Sequence, residues 1–88
     1  MKYNIPALRE KRFRRLFSIL AELSPYSQVT VHDLAAEYEV DERSIQRDLE
    51  VLQSAKLGVF YDENATIKIS RVGYGKIKSW IMGAKEEA

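Results

Sequence analysis

The sequence predicts a mostly α-helical domain closed by a small β-hairpin. Up to about residue 57, apolar side chains recur every three or four positions, in three segments separated by helix-stopping signals. Beyond Gly58 the period shortens to two, in short β-branched and aromatic runs about a polar turn. The chain of 88 residues suffices for one core and leaves nothing for a second.

The first helix is expected from Ala7 to Leu23. Phe13, Leu16, Phe17, Leu20 and Leu23 form its apolar face, with Leu8 and Ile19 flanking. Ser24-Pro25 stops it, because the residue before a proline is pushed out of the α region. Thr30-Val31-His32-Asp33 has the form of a capping box and predicts a short second helix to about Tyr38. Its inner side is Val31, Leu34, Ala35 and Tyr38, and the small Ala35 lets a neighbouring helix approach closely. After a tight break at Glu39-Val40, Asp41 is an N-cap and Glu42 suits the positive end of the helix dipole. A third helix is therefore expected from Glu42 to about Leu57, with Gly58 as the left-handed residue that ends it.

Val59-Phe60-Tyr61 and Thr66-Ile67-Lys68-Ile69-Ser70 then predict a hairpin about Asp62-Glu63-Asn64-Ala65. Ile67 and Ile69 face inward, and Thr66, Lys68 and Ser70 outward. Val72-Gly73-Tyr74-Gly75 reads as a flexible joint, followed by a short amphipathic segment with Ile77, Trp80, Ile81 and Met82. The expected organisation is a domain over 1–71 and a C-terminal extension over 72–88 that serves as dimer contact or linker, or packs back on the first helix.

Several function classes are excluded. There is no cysteine, hence no disulfide framework, thiolate zinc site or cysteine nucleophile, and His32 is the only histidine. Asp33 and Glu37 read as acidic surface, and Gly73-Tyr74-Gly75-Lys76 lacks the spacing of a phosphate-binding P-loop. Neither enzymatic activity nor a cofactor is expected, since no nucleophile is paired with a base and no metal shell is present. Met1 to Pro6 lacks the apolar stretch of a signal peptide and no run is long enough to span a membrane, so a cytoplasmic location without a membrane partner is expected.

The net charge of +1 hides a strong segregation. Residues 1–20 carry Lys2, Arg9, Lys11, Arg12, Arg14 and Arg15 against Glu10 alone, whereas residues 21–42 hold six acids and no Lys or Arg. Basic residues in the N-terminal half of a helix oppose its dipole by some tenths of a kcal/mol each, which points to an outside use; phosphate is the candidate, with a partner's acidic surface and simple solubility as equal alternatives.

Three helices followed by a hairpin is the order of a winged helix-turn-helix, although architecture alone does not give function. The division of the third helix does more. Ile45, Leu49 and Leu52 belong to the core, while Arg43, Gln46, Arg47, Glu50 and Ser54 fall on the opposite side. Arg pairs bidentately with guanine and Gln with adenine from the start of a helix in the major groove, and Ser44 is placed to donate to a phosphate oxygen. Asp48 lies beside the core stripe and reads as structural, holding Arg47 or another arginine. His32 is read as an exposed first-turn residue, with a phosphate contact its one functional alternative. The hairpin tip, Asp62-Glu63, is acidic and unsuited to a minor groove, so Lys68 and Arg71 are the better backbone contacts.

From Val29 through Thr30-Val31-His32-Asp33-Leu34-Ala35 to Arg43-Ser44-Ile45-Gln46-Arg47-Asp48-Leu49, the chain resembles the N-terminal DNA-binding domain of DeoR-type bacterial transcriptional regulators, including those with a WYL ligand domain. That family's pattern is a Thr-Val-x-x-Leu-Ala opening helix, then Val-Ser, then Arg-Thr-Ile-x-Arg-Asp-Leu. The match is close over 28–58 and looser over the first helix. The resemblance implies that Arg43, Ser44, Gln46 and Arg47 face double-stranded DNA and that Thr30 meets a phosphate. Asp41 stands where the family has a capping serine and brings a negative charge near the phosphates. A homodimer reading two half-sites is expected, because one module of this size buries only about 600–1,000 Å² on DNA. No effector ligand is expected within this chain. Two rival readings are a winged helix used as a protein-interaction module and the N-terminal regulatory domain of a longer ligand-responsive protein, as in some biotin ligases.

Overall fold

The computed structural model describes residues 4–87, with side chains described over residues 10–80. In chain order it comprises α1 (Asn4–Glu22), α2 (Val31–Tyr38), α3 (Glu42–Ser54), β1 (Val59–Tyr61), β2 (Ile67–Ile69) and α4 (Arg71–Glu87). The domain is mostly helical with a two-stranded antiparallel hairpin. No described helix is long and apolar enough to cross a membrane.

The core forms where α1, α2, α3 and the hairpin converge. Ile19, Leu34, Ile45, Leu49, Ile67 and Ile69 are all at most 1% exposed. The alternation expected on the second strand is present, with Ile67 and Ile69 buried and Lys68 between them half-buried. Val59 pairs with Ile69 and Tyr61 with Ile67. A bridge from Val29 to Ile67, with the Ile67 N–H donating to the Val29 carbonyl at 2.8 Å, fastens the hairpin to the segment before α2.

Four expectations need correction. α1 begins at Asn4 rather than Ala7, and Pro6 falls in its first turn, where a missing N–H breaks no helical bond. The inward face of α1 is centred on Ile19, which is fully buried, while Phe13 and Phe17 are 61% and 58% exposed. The two rings instead make an edge-to-face pair at 4.8 Å. Extended towards the N-terminus by helical spacing, the Ile19 face carries Arg15 and Arg12, so an apolar count tilts away from the true inward side.

α3 ends at Ser54, three residues short of Leu57, because Lys56 takes the left-handed conformation at φ 61° after the capping residue Ala55. Gly58 is also left-handed, but it lies beyond the helix end. The expected joint at Val72–Gly75 is helical. Ser70 opens α4, its hydroxyl accepting the Gly73 N–H at 3.0 Å and its carbonyl the Tyr74 N–H at 2.8 Å. Gly73 is buried against the Leu57 carbonyl, where a Cβ would come within 1.6 Å of the oxygen, so this glycine serves close approach rather than flexibility. The boundary between 71 and 72 therefore falls within the first turn of α4. Ile81 and Met82 lie outside the residues whose side chains are described, as do Lys2 and Arg9.

Candidate nucleic-acid interface

The connection between α2 and α3 is three residues long and tightly determined. α2 starts in a complete capping box: the Thr30 hydroxyl accepts the Asp33 N–H at 3.1 Å, and the Thr30 N–H donates to the Asp33 carboxylate at 3.0 Å. It stops at Glu39, which is left-handed at φ 57°, and the Val40 N–H turns back to the Ala35 carbonyl at 3.0 Å. Asp41 then caps α3 by accepting the Ser44 N–H at 2.9 Å. Its carboxyl lies below the usual carboxylate range, chiefly through hydrogen bonds from the Ser44 side chain and amide, with Arg43 and Arg47 adding to them.

α3 divides its faces as its sequence predicts. Ile45, Leu49 and Leu52 are buried with Asp48, whereas Arg43, Gln46, Arg47, Glu50 and Ser54 are exposed and Ser44 is half-buried. Among the described residues the side chains of Arg43, Gln46 and Arg47 make no hydrogen bond or ion pair. Three long donors thus stand in the first two turns of an otherwise fixed helix.

Asp48 is 0% exposed and receives α1. Arg15 donates from Nε to Oδ2 and from Nη2 to Oδ1 at 3.2 Å, and Arg12 donates from Nε to Oδ1 at 3.4 Å. The hydrogen bond to Asp48 raises the Arg15 pKa against the lowering effect of burial. The arginines held are therefore those of α1, and Arg47 is left on the outer side. The signal in the sequence was an aspartate three residues after Ile45 on the buried stripe, together with the arginine surplus on α1. Arg12, Arg15, Ser44, Arg47 and Asp48 line an open cleft of about 200 Å³ between α1 and α3.

The other candidate contacts have partners of their own within the chain. Lys68 is only 17% exposed: Nζ donates to the Ser27 carbonyl at 2.6 Å and to the Thr66 hydroxyl at 3.0 Å, and pairs with Asp62 at 3.2 Å. Arg71 is exposed at the start of α4 and donates to the Tyr26 hydroxyl at 2.9 Å. The Thr30 amide is occupied by Asp33, which leaves the hydroxyl proton as the donor at that position. His32 is 3.0 Å from Glu42 through Nδ1, and Arg14 pairs with Glu10 within α1. Asp62 shapes the hairpin turn by accepting the Asn64 and Thr66 N–H groups. Among the described residues, no group of three or more potential metal ligands is assembled.

Comparison of the chain with protein-family models, with curated proteins and with solved structures gives no match.

Proposed function

We propose that this chain is a sequence-specific double-stranded-DNA-binding domain of a transcriptional regulator, a winged helix-turn-helix with α3 in the major groove. The observation that carries the reading is the outward face of α3, where Arg43, Gln46 and Arg47 project from the first two turns without intramolecular partners among the described residues. These side chains offer the bidentate donors that distinguish guanine and adenine edges, and they stand at the N-terminal end of the helix, where such contacts are made. The three-residue link between α2 and α3 supports it, being the length of a helix-turn-helix connection. So does the hairpin that follows α3 in the position of a wing. The resemblance to DeoR-type bacterial regulators adds residue types at the same positions and carries with it a bacterial, cytoplasmic setting.

Specificity over a useful length of DNA calls for two modules, and a second copy of this chain is the partner that fits. Phe13, Phe17 and Trp80 are each about three-fifths exposed around one apolar groove, an apolar surface for such a copy to cover. The rival reading, a protein-interaction module, is separated by experiment. Selection of bound duplexes from a random pool near physiological salt is expected to enrich an inverted repeat with half-sites about one helical turn apart. On the enriched site, Arg47→Ala is expected to cost about 1–3 kcal/mol and relax the preference at one base pair. A pool without enrichment, or an Arg47→Ala protein with unchanged affinity and preference, overturns the assignment of α3.

A further inference from the structure

We propose that the cleft between α1 and α3 binds one phosphodiester of the nucleic-acid backbone, gripped by Arg12 with Arg47 and Ser44 beside it. The source of the phosphodiester rests on the DNA-binding reading; the anion chemistry of the cleft does not.

Three guanidiniums, from Arg12, Arg15 and Arg47, meet at a cleft whose floor holds one carboxylate, Asp48. Asp48 offsets one of the three charges. Asp41 lies outside the lining and its charge acts on Arg43 as well as on Arg15 and Arg47, so it lowers the excess without cancelling it. The lining thus keeps a net positive charge, which suits a phosphodiester monoanion. With about 200 Å³ available and about 30 Å³ taken by each water, the cleft accommodates a tetrahedral anion with some of its hydration.

The two α1 arginines are not equivalent. Arg15 spends Nε and Nη2 on Asp48 and is 18% exposed, so it anchors the helix. Arg12 gives Asp48 only Nε, at 3.4 Å, and is 49% exposed. Its two Nη groups therefore remain as a planar fork, the geometry that grips phosphate oxygens in pairs. The long Nε contact with Asp48 keeps the guanidinium at the mouth of the cleft while leaving both Nη groups free to donate. Arg47 lies both on the cleft and on the outward face of α3. A phosphate seated here fixes the register of α3 against the base edges.

The test uses the full chain and two probes. Dimethyl phosphate, a phosphodiester monoanion, is titrated against chloride at matched ionic strength while the arginine Nε–H and Ser44 amide signals are followed by NMR. Saturating shifts at Arg12, Arg47 and Ser44 with dimethyl phosphate alone are expected; shifts that never saturate, or that chloride reproduces, overturn the site. On duplex DNA, Arg12→Ala is expected to weaken binding about tenfold for every sequence alike, to reduce the salt slope by about one and to leave base preference intact. Arg12→Lys, which keeps the charge and the fold but not the fork, is expected to restore the slope and only part of the affinity. If the random pool enriches a site but both variants bind it as the parent does, the cleft assignment falls and the reading of α3 stands. If dimethyl phosphate saturates at Arg12 while duplex DNA of any sequence at low salt neither binds nor shifts the same signals, the anion site stands and DNA is not its source.

Discussion

Arg15 closes on both carboxylate oxygens of Asp48 and so ties α1 to α3 at a residue that is 0% exposed. The presentation of α3 depends on this pair, because Asp48 is buried at the edge of the Ile45, Leu49 and Leu52 stripe, beside the cleft that Arg47 lines. Removing one partner of a buried ion pair leaves the other without its counter-charge. Arg15 retains some solvent contact, so Asp48→Asn is expected to cost about 2–3 kcal/mol, less than a fully enclosed charge would. Urea denaturation with an unchanged m-value reads this directly. The exposed Arg14–Glu10 pair is the internal control, since Arg14→Ala is expected to move stability by no more than about 0.5 kcal/mol. Equal losses in the two variants refute the central role given to Asp48.

Two glycines two residues apart in α4 predict opposite signs. At Gly73 an added Cβ meets the Leu57 backbone carbonyl, which has no rotamer with which to yield. Gly73→Ala is expected to destabilise by about 1–3 kcal/mol, as overpacking does. At Gly75 nothing lies within 4 Å of the added carbon, so Gly75→Ala is expected to stabilise by about 0.5–1 kcal/mol through helix propensity. Thermal melts of the two single variants check both. Equal shifts mean that α4 does not press on Leu57.

Much of this architecture was legible because local chemistry and tertiary structure agree. The capping box at Thr30 and Asp33, the cap at Asp41 and the buried stripe of α3 are each encoded within a few residues of one another. Misreadings arose where a distant contact decides. Arg12 and Arg15 occupy the inward side of α1 because both donate to Asp48, more than 30 residues away. Counting apolar residues therefore promoted Phe13 and Phe17. Val72–Gly75 looked like a joint because two glycines and a valine disfavour helix, whereas Gly73 is there to let α4 approach Leu57. Lys68 illustrates the same limit at the candidate site. Its outward place on the strand followed from alternation, but its engagement with Asp62 and the Ser27 carbonyl depends on how the hairpin folds over the loop after α1.

The hairpin carries a pH signature. Hydrogen bonds from Thr66 foremost, with Lys68 and Asn64 also contributing, lower the Asp62 pKa to about 2. An unfolded aspartate titrates near 3.9, so the unfolded chain binds this proton at higher pH than the folded one. The stabilisation from Asp62 is therefore fully present above about pH 4 and is lost as the pH falls through about 2. The Thr66 and Asn64 amide signals are expected to titrate with a midpoint near 2, and Asp62→Asn to lose that transition. A midpoint at the ordinary aspartate value refutes the lowered pKa.

Phe17 and Trp80 line an entirely apolar groove of about 260 Å³ between α1 and α4, together with Leu16, Leu20, Leu52 and Leu57. Phe13, Phe17 and Trp80, each about three-fifths exposed, bring about 350 Å² of surface, given about 150–250 Å² per fully buried aromatic. A stable interface buries about 800 Å² on each partner, so this patch is the centre of a contact rather than the whole of one. Free chains are therefore expected to associate weakly, and paired half-sites on DNA to complete the dimer by raising the local concentration of the second copy. Sedimentation equilibrium is expected to show an apparent mass that rises with concentration for the free chain and two chains on each enriched duplex. Trp80→Lys and Phe17→Ser are expected to abolish the rise with little change in melting temperature, because both side chains are mostly exposed in the single chain. A single-chain mass at every concentration, both free and on the enriched duplex, removes the second copy from the mechanism.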